Sequence, residues 1–204
     1  MRPREKAGFT VIELLVVVAI VALLLGLLLP ALGSARKTAN KLMNQSNVAS
    51  VSRYLIVWAN EHERELPSTN PITAPDIASD NTGTERMEVL VNHGLSSELL
   101  LNPIDKKSVY VGGDLTTNNL SYAVLNATSS EWNDNTSSQA PLFADRLLPG
   151  NGSVWDDTAW QGAVAWGDAH ATHEEDQTML ARFGGAAPAL RNIFSGTADA
   201  LYYD

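Results

Sequence analysis

Hydrophobic and polar positions divide this chain into three regimes. Residues 14–35, LLVVVAIVALLLGLLLPALGSA, carry no charged side chain. Those 22 residues fall inside the range of about 17–25 that spans a bilayer as a helix. Further on, Val48, Val51, Leu55 and Trp58 recur at spacings of three, four and three, with Asn47, Ser50, Ser52, Arg53 and Asn60 on the other side. That is the stripe of an amphipathic helix. No proline stands between Pro30 and Pro67, so both regimes predict one long helix from about Phe9 to about Glu65, about 80 Å at 1.5 Å per residue. Gly26 and Pro30 weaken it inside the apolar run, because proline removes a backbone hydrogen bond and clashes with the preceding turn.

The third regime starts at Pro67. Residues 67–85 are rich in Pro, Ser, Thr, Asn and Asp without periodicity, which predicts a loop. Met87, Leu90 and Val91 predict a short helix that His93-Gly94 ends, and Ser96 or Ser97 caps a further turn with Leu99, Leu100 and Leu101. From Asn102 onward the pattern is short strands and turns. Strand candidates are residues 108–111, 120–125 and 142–144, then a hairpin of 163–166 with 170–173 around Gly167-Asp168-Ala169. The polar stretch NATSSEWNDNTSSQ between strands predicts an exposed loop. The tail from Glu174 predicts a short helix around Met179 and Leu180, then a loop, with Leu190, Ile193, Phe194 and Leu201 packing back on the sheet. The expected fold class is α+β: one long N-terminal helix packed on a small antiparallel sheet of three or four strands.

Charge sharpens this division. The 204-residue chain has a formal charge of −9. Residues 1–45 hold Arg2, Arg4, Lys6, Arg36, Lys37 and Lys41 against Glu5 and Glu13, a balance of +4, which leaves −13 for the remainder. An acidic domain whose one basic pair is Lys106-Lys107 argues against nucleic acid as a partner, since phosphate contacts need clustered Lys and Arg. There is no cysteine. That excludes thiol catalysis, cysteine-ligated zinc and disulfides, and about 150 residues still bury enough surface to fold. A carboxylate at the edge of the apolar run, Glu13, costs roughly 2.5–3.5 kcal/mol at a membrane centre and less near an interface, so it asks for a partner.

Catalysis finds little to work with. No Gly-x-Ser-x-Gly elbow and no phosphate-binding glycine loop occurs. His170 and His173 beside Asp168 and residues 174–176 form the one cluster suited to zinc, but on a strand the two histidines point to opposite faces. Trp58, Trp132, Trp155, Trp160 and Trp166 fit core packing, with Trp132 in the polar loop as the one open to a ligand.

The segment Gly8-Phe9-Thr10-Val11-Ile12-Glu13-Leu14-Leu15, behind a short basic leader, resembles the class III signal of the type IV pilin and type II secretion pseudopilin superfamily. A plain secretory signal has an apolar core of about 7–15 residues, and a plain signal anchor has no reason for the Gly-Phe-Thr-x-x-Glu order. The resemblance implies a leader of residues 1–8, cut by prepilin peptidase between Gly8 and Phe9, with methylation of the new amine on Phe9. It implies Glu13 as the assembly residue and Pro30 as a helix-kinking position. It divides the chain into a membrane and assembly half of the stem (9–35), an amphipathic half (36–66) and a globular pilin-like domain (67–204).

By the same resemblance the chain is a bacterial inner-membrane, single-pass structural subunit and not an enzyme. It would self-associate through its stem helices into a pseudopilus or pilus-like filament, together with secretion or pilus assembly machinery. A membrane-anchored binding module that never polymerises is the rival reading. Some major pseudopilins bind calcium in a C-terminal loop, which makes Asp134, Asp156 and Asp157 calcium candidates here, although calcium needs six to eight oxygens. A second resemblance spans Leu99 through Asp105, Leu120-Ser121-Tyr122-Ala123, Pro141 through Arg146 and Ala165 through His170: these look like a bacterial pilin-like group with an H-X9-DG signature. Here Thr158 replaces the histidine, Ala169 the usual glycine and Asn102 a common cysteine.

Overall fold

A computed structural model of the chain describes residues 9–62, 66–67, 83–125, 132, 136–182, 187, 189–194 and 201–202. It divides into two compact units, residues 1–39 and 40–204.

The first unit holds one element, the N-terminal part of helix α1 (Val11–Glu61), which runs through Pro30 and on into the second unit. Every residue from 9 to 39 is exposed, and the helix is long and apolar enough to cross a membrane. The Ser34 hydroxyl donates to the Pro30 carbonyl at 3.3 Å, one turn back, while Pro30 itself has no N–H to give to the Gly26 carbonyl.

The second unit is α+β, as expected. From residue 40 on, α1 buries Asn44, Val48, Ala49, Val51, Ser52, Leu55, Trp58 and Ala59. The stripe read from spacing is therefore the packed face, and it joins a core that includes β-strand residues Tyr122, Val124, Phe143, Val164 and Trp166. Burying a Val, Leu or aromatic side chain is worth about 1.5–3 kcal/mol. Helix α2 (Gly83–Asn92) adds Met87, Val89 and Leu90 to the same core. It begins inside the stretch expected to be loop. It ends where His93-Gly94 predicted, for a stated reason: Gly94 sits at φ +111°, its N–H donates to Val91 O at 3.0 Å, and the Leu95 N–H donates to Leu90 O at 2.9 Å. That pair of bonds closes the last turn only when the residue after the cap turns left-handed, which glycine does without strain. A 3-10 turn, Ser97–Leu100, follows with Ser96 at its N-cap.

Among the described residues the main sheet has five antiparallel strands where three or four were expected: β1 (Tyr122–Leu125), β2 (Pro141–Asp145), β3 (Gly162–Trp166), β4 (Ala171–Glu174) and, after a separate hairpin, β7 (Leu201–Tyr202), in the order β4-β3-β2-β1-β7. The expected hairpin is β3–β4, paired Ala163↔His173 and Ala165↔Ala171. Pro141 opens β2, where its missing N–H costs no internal ladder bond, and a register shift follows it against β3.

Further expectations fail. The helix around Met179 and Leu180 is instead a strand, β5 (Thr178–Ala181), paired with β6 (Ala189–Asn192). Its burial alternates along the strand, and Leu180 pairs with Leu190 on the exposed side, so Leu190 does not pack on the core while Ile193 does. Residues 108–111 form no strand. Their polar groups are already held by side chains and turn: Ser108 N–H by Asn118 O, Ser108 O by Asn119 Nδ2 and Tyr110 O by the Ser97 hydroxyl. Trp132 is buried, not open to a ligand: its Nε1–H donates to Pro67 O at 2.9 Å, and the Arg86 guanidinium lies 4.6 Å from its ring centre.

Candidate functional site

The processing residue Gly8 lies outside the described residues. Phe9 follows it and is exposed. Thr10 and Glu13 form a reciprocal N-terminal cap: the Glu13 carboxylate accepts from the Thr10 N–H at 2.8 Å and the Thr10 hydroxyl at 2.7 Å, and that hydroxyl stands 3.3 Å from the Glu13 N–H. This is the Thr-x-x-Glu capping box, which satisfies orphan groups at a helix start. Sequence spacing could have shown it, since Thr10 and Glu13 stand three apart immediately before the apolar run. Glu13 thus has a neutral partner within its own first turn. Behind it the helix is apolar all round as far as Leu32, with Leu23 67% and Leu27 71% exposed and, among the described residues, no side chain of this unit covered. Such a surface belongs against lipid or another apolar helix. Pro30 sits within this exposed part of the helix.

The second unit is built around a buried carboxylate. Asp145, the last residue of β2, is fully buried. Its Oδ2 accepts from Asn44 Nδ2 at 2.6 Å, Trp155 Nε1 at 2.9 Å and the Ala163 N–H at 2.7 Å, and its Oδ1 accepts from Asn102 Nδ2 at 2.6 Å. Those donors come from α1, the 153–156 turn, β3 and the segment after the 3-10 turn. The Asp145 carbonyl takes Trp160 Nε1–H at 2.9 Å, and Tyr122 OH donates to Asn44 Oδ1 at 2.9 Å. All four carboxylate donors are neutral. Burial pushes the Asp145 pKa up to about 6 against the opposing pull of those bonds. Space around it is tight: a Cβ on Gly162 would stand 2.6 Å from Asp145 Cβ. Next to it, Arg146 makes a two-pronged pair with Asp105, 3.0 and 3.1 Å. Asn102, which stands where a cysteine is common in the second resemblance, supplies here an N–H that a thiol would not. Sequence reasoning quoted Asp145 only within that resemblance. An aspartate ending an apolar strand and meeting two tryptophans and two asparagines far apart in sequence has no local signature.

The other candidates separate. Asp134 lies outside the described residues. The Asp156 carboxylate is engaged by its own turn, accepting from Thr158 N–H at 2.8 Å, Thr158 Oγ1 at 2.7 Å and Gln161 Nε2 at 3.4 Å, while Asp157 is exposed. Among the described residues no group of three His, Cys, Asp or Glu is gathered for a metal. His170 stacks on Trp166 with its Nδ1 against the Asp168 carboxylate, and His173 meets Trp155 edge to face. Lys107 is turned inward onto the Thr117 and Leu120 carbonyls, and its pKa is lowered to about 8, first by burial and then by Arg146. All five tryptophans are buried, so none forms a sugar-stacking face.

Residues 3–29 match the family model of the prokaryotic N-terminal methylation motif. That match supports the type IV pilin and pseudopilin class, a family of structural proteins, and with it processing by prepilin peptidase and assembly into pilus-like systems. Together with the apolar helix it fits a membrane-anchored single-pass protein. No curated protein and no solved structure matches the chain.

Proposed function

We propose that this chain is a subunit of a type II secretion pseudopilus or type IV pilus-like filament, cut between Gly8 and Phe9, methylated on Phe9, and displaying its globular domain in the periplasm or on an extracellular filament. The observation that carries this reading is the pairing of an uncovered, all-apolar helix with a single carboxylate at its start. A bare anchor needs the helix but not the acid. In the lone chain Glu13 is held by Thr10. After cleavage the Phe9 amine is cationic, and a neighbouring subunit offset along the filament can present that amine to Glu13. An ion pair in low dielectric is favourable relative to either charge alone, since breaking a buried pair costs about 3–5 kcal/mol.

The test is Glu13→Gln, which keeps the cap to Thr10 but removes the charge. Membrane insertion and a mature N-methyl-phenylalanine terminus are expected to persist by intact-mass analysis, and filaments are expected to vanish from sheared-cell fractions. Normal filaments from this variant overturn the pairing. A native protein recovered with that terminus but only as monomers favours the non-polymerising binding module.

A further inference from the structure

Outside the stem and the Asp145 network, two histidines that no motif joins meet at the ends of two helices. His62 follows the last residue of α1, and His93 follows the last residue of α2. Their ring centres are 5.5 Å apart with planes at 81°, and Trp58 lies against both, stacked on His62 at 3.6 Å and edge to face with His93 at 4.3 Å.

Both rings are oriented through one nitrogen by the main chain. His62 Nδ1 is 2.9 Å from Trp58 O, and His93 Nδ1 is 3.1 Å from Val89 O. A carbonyl only accepts, so Nδ1 carries the proton in each ring. The lone pair is then on Nε2, the ring nitrogen that the main chain leaves open. An imidazole oriented by a main-chain carbonyl through its other nitrogen is the arrangement typical of metal-bound histidine. The spacing agrees: with metal–nitrogen bonds of about 2.0–2.1 Å, two imidazoles on one tetrahedral ion have centres about 5 Å apart. The field agrees as well. Two helix C-termini converge here, each a partial negative charge, and neither helix has a basic residue in its last turn to answer it.

The geometry points to a divalent transition-metal site, His62 Nε2 and His93 Nε2 on one ion with water completing the shell, that ties the end of the stem helix to the end of α2. Imidazole suits zinc, nickel and copper, copper most tightly, and does not suit calcium or magnesium.

The experiment uses untagged full-length protein in detergent. Copper(II) is added at one equivalent, and the pulsed EPR modulation from remote imidazole nitrogens counts the coordinated rings. Two rings are expected. Zinc titration by calorimetry is expected to show one site that His62→Gln and His93→Gln each weaken by at least the roughly tenfold to hundredfold that loss of a ligand-orienting partner costs. The pair His170→Gln with His173→Gln is expected to leave both readouts unchanged. Should either substitution at 62 or 93 unfold the protein, the copper spectrum of the 170/173 double variant decides alone. One ring or none in that spectrum overturns the site, as does wild-type zinc affinity in a folded His62→Gln or His93→Gln variant.

Discussion

Along residues 11–39 every side chain of α1 is exposed, whereas between Asn44 and Ala59 eight of its residues are buried. The two stretches belong to one helix and are both rich in apolar residues, but their patterns differ. The first is apolar on all sides from Leu14 to Leu32 and there has nothing to distinguish one face from another. The second confines its apolar residues to a stripe, and the sheet covers that stripe. Their polar groups differ in the same way. Glu13 finds its partner three residues back, while Asn44 finds Asp145 across 101 positions of sequence. The side-chain hydrogen bonds of Thr10, Glu13, Ser34 and Thr38 all stay within four residues, and the first stretch needs chiefly an apolar surrounding. The second has no stable form without the rest of the domain.

The largest test of this contrast removes the first stretch. A chain beginning at Arg36 is expected to be soluble and monodisperse without detergent, as size-exclusion chromatography with light scattering would show, while the full chain requires detergent. Aggregation of the shortened chain at neutral pH would mean that the domain also depends on the apolar helix.

A smaller effect is expected from the other side of the contrast. Asp145→Ala leaves four donors without an acceptor, and each unmade buried bond costs about 1–3 kcal/mol, so a loss of at least about 3 kcal/mol is expected in denaturant unfolding. That loss depends on pH. The folded pKa of about 6 lies above the unfolded value of about 3.9. The folded state therefore binds more protons between those values, and the contribution of Asp145 is fully present below about pH 4 and falls as pH rises through 6. Asp145→Ala should then cost more at pH 4 than at pH 7, by roughly 2–3 kcal/mol. An equal cost at both pH values would show that burial does not hold the carboxyl proton.

The smallest test lies at the β3–β4 turn. Ala169 sits at φ +62° and is buried. A left-handed alanine costs about 1–2 kcal/mol, partly offset by about 0.8 kcal/mol for its buried methyl. Ala169→Gly is expected to stabilise the domain by less than about 1 kcal/mol, a rise of no more than about 2–4 °C in Tm. A lower Tm would show that the methyl contact outweighs the strain.

Legibility followed the range of the interactions. The stripe Val48, Val51, Leu55 and Trp58 was readable because helical period is a local property, and the β3–β4 hairpin because its turn and strands are contiguous. The strand Thr178–Ala181 was not. Four residues cannot carry enough helical or strand period to separate the two, and the partner that decides it, Ala189–Asn192, is joined to it through Gly184-Gly185 and Pro188. Trp132 misled for the same reason: its neighbours are polar, but its indole reaches Pro67 and Arg86, which lie far away in sequence. At the candidate site, Gly8, Phe9 and Glu13 form a motif legible in the sequence, and the Thr-x-x-Glu spacing that lets Thr10 cap Glu13 is equally local.

By itself the sequence determined the apolar stem, its charge asymmetry, the N-terminal motif and the amphipathic continuation of the helix. Each rests on the identity and period of neighbouring residues, which folding cannot alter. Only the tertiary structure decided that Asn44, Asn102, Trp155 and Ala163 would converge on Asp145, that His62 and His93 would face each other beside Trp58, and that five strands would form in the order β4-β3-β2-β1-β7. A carboxylate can be buried only where several donors from distant segments arrive together, and that coincidence exists only once the core has closed.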